Sequence, residues 1–92
     1  MSSTSHSAVL DNYGQYTTFS FDDTTITFLT GKNLVRYLSV DEWDAGYIVV
    51  TCLNRDGSQV EDYIDLVPIL ENLYIDPDEF LQPIADVRIA RG

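Results

Sequence analysis

The side chains from which a catalytic centre could be assembled are few and far apart in this sequence. There is one histidine, His6, and one cysteine, Cys52. Nucleophilic catalysis by Cys–His or Ser–His needs the base held beside the nucleophile. His6 lies in the Ser/Thr-rich opening stretch MSSTSHSAVL, read as a frayed leader in which an imidazole is solvated. Cys52 sits in the apolar run YIVVTCLN, which predicts a buried, inert thiol. The five glycines are dispersed at turns, so no phosphate-cradling loop forms. Neither CxxC nor a His cluster offers a zinc site. Asp76, Asp78 and Glu79 are the best hard-cation candidates, but their spacing is not that of an EF-hand loop and helix capping accounts for them. The expectation is a non-enzymatic protein without cofactor or metal.

Charge is the more informative chemistry. Fifteen acids against five bases give a net charge of -10, and Asp56 to Val87 holds nine carboxylates with no Lys or Arg. Phosphate neutralisation needs clustered bases, so direct nucleic-acid binding is disfavoured, as is an anionic membrane surface. A basic protein partner is the natural complement. Two clusters stand out as partner-binding candidates. Asp41, Glu42, Trp43 and Asp44 ring the single tryptophan with acids in an expected loop, an arrangement suited to an aromatic anchor with a charged rim. Glu61, Asp62, Tyr63 and Asp65 lie on an expected strand, with Glu61, Tyr63 and Asp65 on one face. Asp62 falls on the apolar side with Val60 and Ile64. It either guards a sheet edge or pairs with Arg36 or Arg88. Carboxylates two residues apart on a strand are about 6.6 Å apart. That is roughly twice the ~3.4 Å rise between phosphates of one DNA strand, so such a row could also imitate a nucleic-acid backbone.

The elements that must carry these groups follow from period and turn chemistry. Residues 1–14 read as the flexible leader and 15–92 as a single α+β domain. YTTFSF and TITFLT alternate apolar and polar residues around Asp22–Thr25, which predicts a hairpin. LVRYLSV favours a strand over a short helix because it is rich in β-branched and aromatic residues. DEWDAG then reads as a loop, YIVVTCLN as a central strand, and Asp56-Gly57 as a tight turn into QVEDYIDL. Five strands on short connections make an antiparallel β-meander. Leu66, Ile69, Leu70 and Leu73 then recur at helical spacing, with Asp65 as the expected N-cap and Pro68 in the first turn. Asp76-Pro77-Asp78-Glu79 starts a second helix that Pro83 must end, anchored by Phe80, Leu81 and Ile84. ADVRIA is the C-terminal strand. The fold class is α+β: an antiparallel sheet with one or two short helices on one face.

The run Asp56-Gly57, Asp65-Leu66, Ile69-Leu70, Asp76-Pro77 and Phe80 resembles the pattern of small prokaryotic domains of unknown function, some encoded beside toxin–antitoxin genes. The resemblance covers the C-terminal third. It implies a small module with a protein partner and assigns no catalytic residue. The expected function is an acidic protein-interaction module of prokaryotic or phage origin. The alternative is a nucleic-acid-mimicking inhibitor that occupies the basic groove of a DNA- or RNA-binding complex. The N-terminus has no basic and apolar signal-peptide regions and no apolar run reaches membrane-spanning length, so the expected location is the cytoplasm. A homodimer is compatible with all of this.

Overall fold

Seven strands and two short helices build the chain in a computed structural model that describes residues 6–31, 33–44 and 46–90. The strands are β1 (His6–Tyr13), β2 (Tyr16–Phe21), β3 (Thr24–Leu29), β4 (Leu34–Asp44), β5 (Tyr47–Asn54), β6 (Gln59–Asp65) and β7 (Ile84–Ile89). The helices α1 (Val67–Asn72) and α2 (Pro77–Leu81) lie between β6 and β7. Strands dominate, pairing is mostly antiparallel, and the helical content is small.

The strands form two sheets rather than one meander. One has the order β3-β2-β1-β7 and the other β4-β5-β6. The expected hairpin is β2–β3, with Asp22 at its tip in the left-handed region (φ 51°). The expected run β4-β5-β6 also pairs antiparallel, through the Asp56-Gly57 turn with Gly57 at φ 87°. The meander breaks between β3 and β4, where the chain crosses to the second sheet. The edge of β2 away from β3 is taken by β1, and β7 lies parallel to β1 on its far side.

β1 overturns the frayed-leader expectation from His6 onward. Ala8 and Leu10 alternate into the core and are fully buried, while Val9 and Asp11 face outward. Buried between β2 and β7, an eight-residue segment with only two core side chains is held chiefly by its two ladders. The remaining leader residues, 1–5, lie outside the described residues.

Both sheets contribute to one core. Leu10, Phe19 and Ile26 meet across β1, β2 and β3 in direct register. Ile48, Val50, Cys52 and Ile64 supply the other sheet, and Leu66 and Leu70 close the gap from the start of α1. Thr17 of β2, fully buried, shares hydrogen bonds with Tyr37 Oη of β4 at 2.8 Å and with Thr30 Oγ1 at 2.6 Å. A polar clasp therefore ties one sheet to the other, with its buried groups satisfied.

The helices follow their capping signals closely. Leu66, not Asp65, is the cap residue of α1, but Asp65 Oδ1 accepts the Val67 N–H at 3.1 Å from one position earlier. Leu73 lies beyond the last turn and is half exposed, so the apolar stripe shortens to Leu66, Ile69 and Leu70. In α2, Asp76 accepts the Asp78 N–H at 3.0 Å as a true N-cap. Phe80 packs its ring against Phe21 (centroids 5.3 Å) and Phe19 (6.2 Å), which seats α2 on the first sheet. Ile84 is buried beside it, and the Leu81 side chain lies outside the described residues.

Candidate functional site

The two acidic clusters of the sequence meet on one sheet. Asp41, Glu42, Trp43 and Asp44 are not in a loop: they form the end of β4, where Glu42, Trp43 and Asp44 pair with Val49, Ile48 and Tyr47. β4 has eleven residues against eight in β5, and three register shifts along the ladder absorb the excess. The polar composition of DEWD masked a strand because its partner, β5, supplies most of the apolar surface. Gly46, at φ 112°, leads directly into β5.

Strand parity then sorts every candidate. Ile48, Val50 and Cys52 point into the core, so Tyr47, Val49, Thr51 and Leu53 face outward. Direct partners share a face: Asp65 lies opposite Tyr47, Tyr63 opposite Val49, and Glu61 opposite Thr51. On the other flank of β5, Glu42 lies opposite Val49 and Asp44 opposite Tyr47. Asp41 reaches the same face, because its carboxylate accepts from Thr51 Oγ1 at 2.5 Å and from Ser39 Oγ at 2.8 Å. Five carboxylates therefore surround one exposed patch.

At its centre the rings of Tyr47 and Tyr63 stack, with centroids 5.3 Å apart and planes 14° from parallel. Tyr63 is 60% exposed. Glu42 has the largest influence on Tyr47, pushing its phenol pKa upward, and desolvation, Asp44 and Tyr63 add to the shift. The Asp41 carboxyl is held below the usual range by the hydroxyls of Thr51 and then Ser39. It therefore stays ionised while serving as a brace between β4 and β5. Tyr47 is the member the sequence reading missed. In YIVVTCLN its ring looked like one more core residue, and only the pairing register shows that it faces out.

Trp43 and Asp62 fall elsewhere. Trp43 lies opposite the buried Ile48 and packs, half-buried, against the core. Asp62 lies opposite Val50 on the core side of β6, yet is exposed because β6 is a sheet edge. Its carboxylate accepts the Tyr63 N–H at 2.8 Å, and no ion pair to Arg36 or Arg88 forms among the described residues. Those arginines instead line an open cleft of about 880 Å³ between β4 and β7, with Asp11, Tyr37 and Val87.

The residues weighed for catalysis stay apart. His6 is not solvated in a tail: its Nδ1 lies 3.1 Å from Asp22 Oδ1, and its ring meets Phe21 edge-on at 5.3 Å. Cys52 is buried in the other sheet. Its thiol is pushed up to about 11, first by burial and then by the charges of Asp62 and Asp41. Among the described residues, no three His, Cys, Asp or Glu side chains gather as a metal site, and no helix is long and apolar enough to cross a membrane.

Residues 6–92 match a domain of unknown function, DUF7724. The chain belongs to this family. The DUF7724 match takes in both sheets and the whole acidic face, well beyond the C-terminal third that carried the sequence resemblance. Neither a curated protein nor a solved structure matches the chain.

Proposed function

We propose that this chain is a non-enzymatic interaction module that binds a basic surface of a partner protein through the outer face of β4-β5-β6. The observation that carries the reading is the Tyr47–Tyr63 stack, Tyr63 exposed and Tyr47 half-buried, ringed by Asp41, Glu42, Asp44, Glu61 and Asp65. Stacked tyrosines offer rigid apolar area with little side-chain entropy to lose. An arginine or lysine laid on such a ring gains about 0.5–2 kcal/mol, more as water is excluded, and the surrounding carboxylates complete its coordination. The acids steer the encounter over distance, and the ring pair sets how long the complex lasts. The setting is the cytoplasm of a prokaryotic cell, where the protein is an accessory factor of the host or of a phage.

Nucleic-acid mimicry is the second reading, favoured by the two acidic strands flanking β5. A mimic needs charge rows and has no use for a central aromatic stack, so the protein partner stands first. The test is affinity capture from nuclease-treated lysate with wild type, an E42K/E61K variant, Tyr63→Ala and Asp62→Lys, washed at low and high salt. The expected result is a partner retained at high salt by wild type and by Asp62→Lys, and lost by E42K/E61K and by Tyr63→Ala. A partner that binds nucleic acid, elutes at high salt and ignores Tyr63→Ala would favour mimicry. Capture unaffected by E42K/E61K would remove the acidic face from the function.

A further inference from the structure

The four sheet edges differ sharply in how they are guarded. β6 carries Glu61, Asp62 and Asp65, three acids on a seven-residue strand that a second copy would crowd with three more. β4 is kinked by three register shifts and carries Asp41, Glu42 and Asp44. β7 carries Asp86 and Arg88, and β4 runs close along it. β3 has none of these devices. Its six residues, TTITFL, hold no charge and no proline, and pair with β2 in unbroken register.

The hydrogen-bond phase shows what that edge presents. The Thr30 N–H donates to the Gln15 carbonyl at 2.8 Å, so 15 and 30 are a bonded pair. By alternation, Phe28, Ile26 and Thr24 turn their main chain toward β2, while Thr25, Thr27 and Leu29 turn theirs to the open edge. The side chains of those same three residues are exposed on the outer face. Tyr13, Tyr16 and Leu29 continue as a cross-strand row of exposed apolar groups that ends at this edge.

We propose that two copies of this chain join through β3, antiparallel about a two-fold axis at Thr27. That register sets Thr27 opposite Thr27 and Thr25 opposite Leu29, and each of these pairs exchanges two main-chain hydrogen bonds. The contact is isologous and closed, so it ends at a dimer. The occupant is a second copy because β3 is the edge at which self-pairing meets neither like charge nor obstruction. β6 and the end of β4 set acids against acids, and β7, whose Asp86 and Arg88 are of opposite sign, is followed closely by β4. Each chain carries -10, and at β3 alone no ionised side chain of the strand faces its symmetry mate. The contact leaves the acidic face on β4-β5-β6 free and doubles it.

Sedimentation equilibrium over a micromolar to millimolar series tests this. The wild-type mass should rise from 10.4 kDa toward twice that value, more readily at higher salt. Thr27→Lys puts two ammonium groups face to face on the axis while leaving an exposed monomer position unharmed, so it should stay at 10.4 kDa with an unchanged circular-dichroism spectrum. Independently of any variant, amide exchange at Thr25, Thr27 and Leu29 should slow about tenfold with concentration. A wild type that remains at 10.4 kDa throughout, a dimer untouched by Thr27→Lys, or concentration-independent exchange at those amides each overturns the proposal.

Discussion

Thr17 is fully buried in the core, and its hydroxyl serves two partners at once, Tyr37 and Thr30. Removing it by Thr17→Val leaves the Tyr37 hydroxyl buried without a protein partner, a loss of about 1–3 kcal/mol. Tyr37→Phe takes away only one of Thr17's two bonds, so it should cost less, about 1 kcal/mol. Urea unfolding of the two variants checks that order, and a Tyr37→Phe loss larger than that of Thr17→Val would refute the clasp. The same core makes the fold sensitive to alkali. Tyr37 is pushed up to about 12, first by burial and against the Thr17 hydrogen bond, and Cys52 is pushed up to about 11, first by burial. A group with a raised folded pKa contributes stability that is intact below its unfolded pKa and is lost as pH climbs through the folded value. Stability should therefore hold to about pH 9 and fall between pH 9 and 11, by about 1–2 kcal/mol on the account of Cys52. Cys52→Ala should flatten that part of the profile while lowering stability at neutral pH. A urea midpoint independent of pH from 8 to 11 would show that neither group ionises on unfolding.

At the scale of elements, turns were more legible than strands. Asp76 and its capped helix, the Asp56-Gly57 turn and the β2–β3 hairpin were readable because each depends on local backbone chemistry. What misled were segments whose structure is decided by a distant neighbour. β1 is a strand because β2 and β7 flank it, and β7 lies some seventy residues on. The end of β4 is a strand because β5 folds back on it. Of the candidate site, Glu61, Tyr63 and Asp65 were correctly placed on one face from parity alone. Their union with Glu42 across β5, and the outward turn of Tyr47, required the register. Gly46 makes that union possible. Its φ of 112° is costly for any side chain, and a Cβ there would stand 2.8 Å from Val67 Cγ2. Its carbonyl also accepts the Leu66 N–H at 2.7 Å, joining the β4–β5 turn to the start of α1. Gly46→Ala should destabilise by about 1–3 kcal/mol. It should also disturb the Tyr47–Tyr63 stack one residue away, visible as a change in near-ultraviolet tyrosine circular dichroism. A variant as stable as wild type would mean the turn is free to relax.

For the whole molecule, the charge sets a scale against which its size can be judged. The chain measures 48 × 27 × 20 Å. At about 0.01 M ionic strength the Debye length is ~30 Å, so nearly every carboxylate repels every other across the molecule. At about 0.15 M it is ~8 Å, and only neighbours on a face still interact. The self-repulsion of a -10 chain should therefore be relieved mostly within this range, and the melting temperature in sodium chloride should rise by about 4 °C before levelling off. What remains above that salt is the local crowding of the acidic face, which only mutation can remove. Glu42→Gln with Glu61→Gln should raise the low-salt melting temperature further, reduce its salt dependence, and weaken partner capture in the same protein. That combination is what separates a face kept acidic for binding from one kept acidic for folding. If the double variant melts below wild type at low salt, the two carboxylates stabilise the sheet themselves, and their presence needs no partner to explain it.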